Sequence, residues 1–155
     1  LNKPNDLFIG CDAYYNGCVK LLKKIVDKNI KNIKIWPDDI HLIIKKFKKN
    51  FFDLILILQP DPWPKKKHKK RRLINEEFVK NLDKITLKYS EILIATDDED
   101  YSNQISKSFS KQNFFKLLLK TSKNQIFEDH NIYPTKYFRK AKRENRRINL
   151  FIYQK

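Results

Sequence analysis

The sequence predicts an α/β fold built on a mostly parallel β-sheet. Short apolar runs alternate with amphipathic segments, which is the pattern of repeated β-α-β units. The run from Leu54 to Leu58 is continuously apolar and is soon followed by Pro60, which favours a strand buried on both faces at the centre of the sheet. Predicted strands are followed by the acids Asp12, Asp38, Asp61 and Asp97. Because parallel strands end along one edge, we expect these acids to gather around a single pocket.

The first third of the chain predicts two β-α units. The strands are expected at about Leu7 to Asp12 and Asn32 to Trp36, and the helices at about Tyr15 to Lys28 and Ile40 to Lys48. An acid that closes such a strand can accept hydrogen bonds from ribose hydroxyls, or it can cap the helix that follows. Both interpretations stay open for Asp12 and for the Asp38–Asp39 pair, of which one member is expected to be a helix cap.

The remainder continues the alternation. We expect a helix at about Asn75 to Tyr89, a strand at Ser90 to Thr96 and a helix from Tyr101 to about Gln112. An apolar run at Phe114 to Leu119 leads to a loop near Ser122 to Asn124, and Ile148 to Tyr153 predicts a strand paired antiparallel at the sheet edge.

A proline-rich turn separates the central strand from a basic run. Each proline biases the preceding residue toward extended backbone, so Gln59, Asp61 and Trp63 are expected to be extended. Seven Lys or Arg residues then fill eight positions from Lys65 to Arg72. The basic run alone is compatible with a solvated tail, but strand, acidic turn and basic run in succession favour a functional site. The indole of Trp63 either packs against the sheet or stacks on a base.

Composition indicates the partner and the setting. The 155 residues are 41% apolar, enough for the core of one domain, and the net charge of +16 favours nucleic acid over membrane as the partner. No membrane-spanning run is predicted. Cys11 and Cys18 have neither disulfide nor zinc-site spacing, and no signal peptide is recognisable, so a reducing cytoplasm and the absence of a bound metal are expected. The only glycines are Gly10 and Gly17, so no glycine-rich nucleotide loop is predicted.

Three segments carry a resemblance to a known family. They are Pro60-Asp61-Pro62-Trp63-Pro64-Lys65 with His68 to Arg72, Ala95-Thr96-Asp97 with Tyr101, and Thr135-Lys136-Tyr137. The chain resembles the bacterial tRNA (guanine-N7)-methyltransferases. The resemblance implies a Rossmann-like class I methyltransferase sheet whose first βα unit, with its glycine-rich segment, is missing. It also implies methyl transfer from S-adenosyl-L-methionine to N7 of a guanine in the tRNA variable loop, at tRNA position 46.

The chemistry of this transfer makes Asp61 the catalytic candidate, because a carboxylate can accept from the N1–H and amino edge of guanine and stabilise the positive charge that passes to the purine. By resemblance, Asp12, Asp38 and Asp61 would face the cofactor. The substrate would meet Lys65, Asp97, Thr135 and Lys136. RNA phosphates would be held by Lys67, His68, Lys69, Lys70, Arg71 and Arg72.

The sequence departs from the family pattern at Phe138, where the family has a glutamate after Thr-Lys-aromatic. Without that acid, one expected substrate interaction is missing. The alternative function is therefore a non-catalytic RNA-binding remnant, and a more remote one is a basic ribosomal protein, against which the strand-end acids argue. The oligomeric state is left open between a monomer and a homodimer.

Overall fold

A computed structural model describes residues 4–122 and 133–155. The chain divides into two compact units, residues 1–47 and 48–155, which are described separately below. The interpretation of the chain as a single domain stays a prediction. The loop predicted near Ser122 to Asn124 lies mostly outside the described residues.

The first unit is one β-α-β motif followed by a short helix. Strand β1 (Phe8–Cys11) and strand β2 (Ile33–Trp36) pair in parallel, and helix α1 (Tyr15–Asp27) connects them. Helix α2 (Ile40–Ile43) continues only as a 3₁₀ turn to Lys46, so the helix predicted as far as Lys48 is wrong at its end. Several β-branched isoleucines weaken the helical preference of this segment.

The second unit is a four-stranded sheet with helices between its strands. Strands β3 and β4 are parallel, and β6 is antiparallel to both β4 and β5. The strand order is β3-β4-β6-β5. The elements are β3 (Phe52–Leu58), a 3₁₀ helix (Lys66–Arg71), α3 (Glu76–Ile85), β4 (Thr86–Thr96), α4 (Glu99–Ser110), β5 (Lys116–Thr121), α5 (Lys136–Arg143) and β6 (Asn149–Gln154).

The predicted position of the central strand is wrong for the sheet of this unit. Within residues 4–122 and 133–155, strand β3 is an end strand that pairs only with β4 in that sheet. The side chains of Leu54 and Leu56 are 39% and 42% exposed. The apolar run identifies a strand correctly. It carries no information about which strands lie beside it, because that depends on residues distant in sequence.

The C-terminal strand is antiparallel, as predicted, but its position differs. Strand β6 lies between β4 and β5, so β5 forms the edge of the sheet. Five successive residues of β6, from Asn149 to Tyr153, are buried. This burial on both faces is typical of an interior strand.

Packing on the two faces of the sheet fixes helices α4 and α5. On one face, Phe138 and Ala141 of α5 pack with Leu93, Leu150 and Ile152. Side chains alternate along β6, so Tyr153 points to the opposite face, where its ring stacks on Phe109 of α4 at 3.8 Å between centroids.

Candidate functional site

Two predicted acids of the first unit follow the carboxyl ends of its parallel strands. Asp12 comes directly after β1 and Asp38 comes two residues after β2. An Asp12 carboxylate oxygen accepts a hydrogen bond from the Tyr14 N–H at 2.8 Å at the start of α1. Asp39 caps α2 by accepting from the His41 N–H at 2.9 Å, so the helix cap of the Asp38–Asp39 pair is Asp39. The Asp38 carboxylate accepts from the Asp39 N–H at 2.7 Å, and the cofactor-binding role of Asp38 stays a prediction.

The thiol of Cys11 shows that these acids are close together. Its Sγ donates to the backbone carbonyl of Asp38 at 3.2 Å. Burial raises the pKa of the Cys11 thiol to about 11, and the negative charges of Asp39, Asp12 and Asp38 add to this rise. The ends of β1 and β2 therefore form one acidic edge within this unit, which is suited to accept hydrogen bonds from hydroxyl and amino groups.

In the second unit, Asp61 lies on a stiff turn after β3. Asp61 stands between Pro60 and Pro62 in the sequence, and its side chain is exposed. Gln59 and Trp63, on either side, have φ angles of 48° and 41°, so the prediction that they are extended is wrong. Such backbone costs about 1 kcal/mol or more per residue and persists where other contacts impose it. Here the Gln59 N–H donates to the Ala95 carbonyl at 2.9 Å, which ties the turn to β4.

Arg72 holds the other side of this turn. Its Nε donates to the Pro62 carbonyl at 2.7 Å and its Nη1 to Gln104 Oε1 at 2.9 Å. Its Nη2 lies 2.7 Å from an Asp100 carboxylate oxygen, and the guanidinium covers the Tyr101 ring at 4.8 Å from the ring centroid. The side chain is only 1% exposed, so in this arrangement it cannot reach a phosphate. The RNA-binding role predicted for Arg72 is replaced by a structural one.

Tyr101 connects this buried cluster with the catalytic candidate. Its hydroxyl oxygen accepts from the Ile74 N–H at 2.9 Å. Burial raises the pKa of Tyr101 to about 12, and the nearby charge of Asp61 adds to this rise, against the lowering effect of that hydrogen bond and of Arg72. The negative charge of Asp61 therefore acts on Tyr101, the third residue of α4.

The predicted RNA-binding residues differ in exposure and in the contacts that they make. Lys67, Lys70 and Arg71 are exposed on the 3₁₀ helix that follows the turn. Lys69 forms an ion pair with Asp100 at 2.7 Å. His68 meets the Trp63 ring edge-on at 5.8 Å between centroids, and the Arg71 guanidinium lies 5.0 Å from the centroid of that ring. The indole of Trp63 thus contacts the basic run, and base stacking by this ring stays a prediction.

The Asp100 carboxylate supports a pH prediction. Hydrogen bonds from Lys69 and then Arg72 hold the pKa of Asp100 below its ordinary value. Its contribution to stability is therefore present above the unfolded-state pKa and is lost as the pH falls through the lower, folded-state pKa. We expect Lys69→Gln to raise the pKa of Asp100 measured by NMR titration, whereas Lys66→Gln leaves it unchanged. An unchanged Asp100 pKa in Lys69→Gln would refute this assignment.

Asp97 follows β4 and is half-buried. Its carboxylate forms an ion pair with Arg146, whose guanidinium also pairs with Glu144 at 2.9 Å. The next acid, Asp98, caps α4 by accepting from the Tyr101 N–H at 2.7 Å. Asp97 is thus held by Arg146, and its contact with a substrate stays a prediction.

Thr135 and Phe138 fix the last predicted segment. The Thr135 hydroxyl oxygen accepts from the Phe138 N–H at 3.0 Å, which caps α5, and the hydroxyl donates to Gln59 Oε1 at 2.6 Å. Phe138 is 4% exposed and belongs to the core, so in place of the family's acid it anchors α5 on the sheet. Lys65 and Lys136 are exposed beside the turn and at the start of α5, respectively.

Gln59 and Arg146 were not predicted from the sequence as site residues. Arg72 was predicted to bind RNA phosphates and is instead buried. The only local signal for Gln59 is a polar residue that ends an apolar strand just before proline. Arg146 is 49 positions from Asp97 and gives no local signal, because the pairing depends on the packing of β4 against β6.

Membrane-spanning helices and clustered metal ligands are both absent from residues 4–122 and 133–155. No helix in these ranges is long and apolar enough to cross a membrane. No group of three or more His, Cys, Asp and Glu side chains in the same ranges is arranged to hold a metal ion.

Comparison with known proteins identifies the fold. An rRNA methylase from Streptococcus thermophilus superposes with a TM-score of 0.61 at 12% identity, over 96% of this chain and 73% of that protein. Parallel strands followed by acids, with one antiparallel strand inserted next to β4, agree with that likeness. The chain therefore has the fold of the class I S-adenosylmethionine-dependent methyltransferases.

Sequence comparison narrows this class to a family. Residues 1–150 match the family model described as "Putative methyltransferase". A tRNA (guanine-N(7)-)-methyltransferase of Wolbachia pipientis is 41% identical over 97% of this chain and 65% of its own length. One from Neorickettsia sennetsu is 37% identical over 70% of this chain and 50% of its length. The chain belongs to this methyltransferase family and spans about half to two-thirds of these two relatives, which confirms the resemblance seen in the sequence.

Proposed function

We propose that this chain transfers a methyl group from S-adenosyl-L-methionine to N7 of a guanine in tRNA. The observation that carries the proposal is the exposed Asp61 carboxylate, held on a rigid turn at the end of β3 and directly followed by an exposed basic surface. A carboxylate can accept from the N1–H and 2-amino group of guanine, and a basic surface binds RNA phosphates. The names of the curated relatives support the same reaction.

The proposed reaction requires little proton transfer by residues of the protein. When bound, S-adenosylmethionine supplies an electrophilic methyl group on a sulfonium sulfur. Guanine N7 carries an in-plane lone pair, so no residue has to act as a general base. Methyl transfer would form a bond between N7 and the methyl carbon while the bond between that carbon and sulfur breaks, so the purine would gain the positive charge. Asp61 would orient the guanine and stabilise this charge.

The acidic edge of the first unit fits the cofactor in its chemistry. Asp12 and Asp38 offer carboxylate oxygens at the carboxyl ends of parallel strands, where α/β sheets bind nucleotides. Asp12 would accept from the ribose hydroxyls and Asp38 from the adenine amino group. Asp61 completes the set predicted from the sequence. The gathering of all four strand-end acids around one pocket stays a prediction.

The substrate would be held by residues around the turn and at α5. Lys65, Asp97, Thr135 and Lys136 are proposed to contact the nucleotide. Phosphates would meet Lys67, His68, Lys70 and Arg71, while Lys69 would act through its ion pair with Asp100. We further propose that the target guanine lies in the variable loop at tRNA position 46 and that the reaction takes place in the cytoplasm. A measurement of mass in solution distinguishes a monomer from a homodimer.

The basic surface makes a prediction about salt. Replacing Lys67, Lys70 and Arg71 together with glutamine should weaken binding of every tRNA alike, because phosphate contacts are independent of sequence. The slope of log affinity against log salt should fall by about one for each phosphate that is no longer neutralised. The control is Lys20, Lys23 and Lys24 to glutamine, which changes the net charge equally on α1. Equal effects of the two triple variants, or selective weakening for one tRNA, would count against the assignment.

The proposed reaction is tested with labelled S-adenosylmethionine and two unmodified tRNAs. One tRNA carries guanine at position 46 and the other carries adenine there. The proposal expects incorporation only into the first. Salt-sensitive binding of both tRNAs without methyl incorporation would instead support the RNA-binding remnant, and incorporation into both would overturn the proposed position.

A further inference from the structure

Helix α5 carries a second cationic surface, apart from the 3₁₀ helix that follows the Asp61 turn. Phe138 and Ala141 are buried on the inner face of α5. The opposite face is exposed, and its cations are Lys136, Arg139, Lys140, Lys142 and Arg143. Four of these side chains line an open groove of about 540 Å³, namely Lys136, Arg139, Lys142 and Arg143. We call this exposed face the α5 surface.

The positive charges of the α5 surface are poorly neutralised by the protein. Within residues 4–122 and 133–155, the side chains of Arg139, Lys142 and Arg143 form no ion pair, and Lys140 approaches Glu144 only to 3.9 Å. Like charges three or four positions apart on a helix repel each other. A cation in the first helical turn, such as Lys136, is also unfavourable to the helix dipole. The folding of α5 therefore does not require these charges, and their accumulation points to an anionic ligand.

The kind of cation points to phosphate. The chain has 28 lysines and only 6 arginines, and four of the arginines lie within nine positions, at Arg139, Arg143, Arg146 and Arg147. A general excess of lysine along the chain does not account for this local concentration of arginine. The planar guanidinium can donate two parallel hydrogen bonds to one phosphate, which a lysine ammonium cannot do. The α5 surface is thus suited to a row of phosphates.

The α5 surface begins beside the candidate site. The Thr135 hydroxyl caps α5 and is hydrogen-bonded to the Gln59 side chain at 2.6 Å, at the end of β3. Arg72 holds the Pro62 carbonyl on the other side of Asp61. Helix α5 packs on one face of the sheet, whereas the 3₁₀ helix is joined to α4, which packs on the opposite face. The turn that carries Asp61 therefore lies between two cationic surfaces.

We infer that the α5 surface binds phosphates of the tRNA, on the side of the target nucleotide opposite to the phosphates bound by Lys67, Lys70 and Arg71. This inference rests on the proposed function. An RNA strand that passes over the turn would contact one cationic surface before Asp61 and the other after it. Tyr137 is the only large apolar side chain exposed on α5, so the helix lacks the apolar face with which a membrane-bound helix inserts into lipid.

The test compares phosphate contacts of the full wild-type chain with those of a variant that carries Arg139→Gln, Lys142→Gln and Arg143→Gln. The slope of log affinity for tRNA against log salt should fall by about two or more, because each phosphate contact contributes about 0.7–0.9. Phosphate ethylation interference should then lose one set of tRNA phosphates. These phosphates should differ from those lost when Lys67, Lys70 and Arg71 are replaced with glutamine.

The matched control carries Lys80→Gln, Lys84→Gln and Lys88→Gln, which removes the same charge from exposed residues of α3 and the start of β4. Its salt slope and its interference pattern should equal those of the wild type. The midpoint of urea unfolding should be unchanged or higher in the α5 variant, because the replaced cations repel each other. A lower midpoint would indicate a structural role for them and would overturn the inference, as would equal losses of salt slope in the α5 variant and the control.

Failure of this inference and failure of the proposed function give different results. If the wild-type chain methylates tRNA and the α5 variant keeps every phosphate contact, the α5 surface is overturned alone. If the α5 variant loses its own set of phosphates but the wild-type chain transfers no methyl group, the proposed reaction is overturned and the RNA-binding surface is supported. Loss of the same phosphates in the α5 variant and in the variant of Lys67, Lys70 and Arg71 would overturn the placement on opposite sides of the target.

Discussion

Replacing Asp61 with asparagine is expected to lower kcat/KM for tRNA methylation by about 10²-fold or more. Asparagine keeps the shape of the side chain but removes the charge and presents an amino group to guanine. Removal of one preorganised electrostatic interaction in an enzyme site commonly costs this much. Affinity for tRNA should change little, because it comes mainly from phosphate contacts. The measurement is a steady-state assay with labelled methyl donor, combined with a tRNA-binding titration.

Asp53→Asn is the matched control for this variant. Asp53 is an exposed acid at the opposite end of the same strand, so its replacement makes the same change of charge away from the turn. Its activity should equal that of the wild type. Equal activities of Asp61→Asn and the wild type would refute the catalytic assignment, and a parallel decrease in both variants would indicate a general effect of charge.

Replacing Arg72 with methionine is expected to destabilise the fold by about 3 kcal/mol. The arginine is 2% exposed and joins the Pro62 carbonyl, the Gln104 amide and the Tyr101 ring. Removal of one member of a buried, hydrogen-bonded charge network is among the more costly single substitutions. Urea unfolding monitored by circular dichroism should show a lower midpoint with an unchanged slope.

Arg71→Met provides the comparison. Arg71 is exposed and rests on Trp63, and an exposed cation–π contact is worth about 0.5–1 kcal/mol. Arg72→Lys keeps the charge but not the planar fork, so it should recover only part of the stability. If Arg71→Met destabilises as much as Arg72→Met, the two arginines do not differ in the way that their burial indicates.

The elements of the fold could largely be predicted from the sequence, whereas the order of the strands could not. Periodicity is a local property, so α1, α4 and β6 appear close to where the pattern places them. The neighbours of a strand are set by packing between distant segments. For this reason the run from Leu54 to Leu58 indicates a central strand but forms the end strand of its sheet.

In the candidate site, too, features that depend on neighbouring residues could be predicted, whereas features that depend on the fold could not. Asp39 as a helix cap follows from local chain geometry, and the sequence predicts that one acid of its pair has this role. The burial of Arg72 could not be predicted, because a run of cations looks alike whether its last member faces solvent or the acids Asp98 and Asp100. Gln59 and Thr135 are 76 residues apart, so only the fold reveals their hydrogen bond.

The identity of the methylated nucleoside tests the central claim most directly. The chain is incubated with S-adenosylmethionine and unmodified tRNA, and the tRNA is digested to nucleosides and analysed by mass spectrometry against 7-methylguanosine. The account predicts that 7-methylguanosine appears with the wild-type chain and is strongly reduced with Asp61→Asn. A methyl group on any other atom, or bound tRNA that gains no methyl group at all, would contradict it.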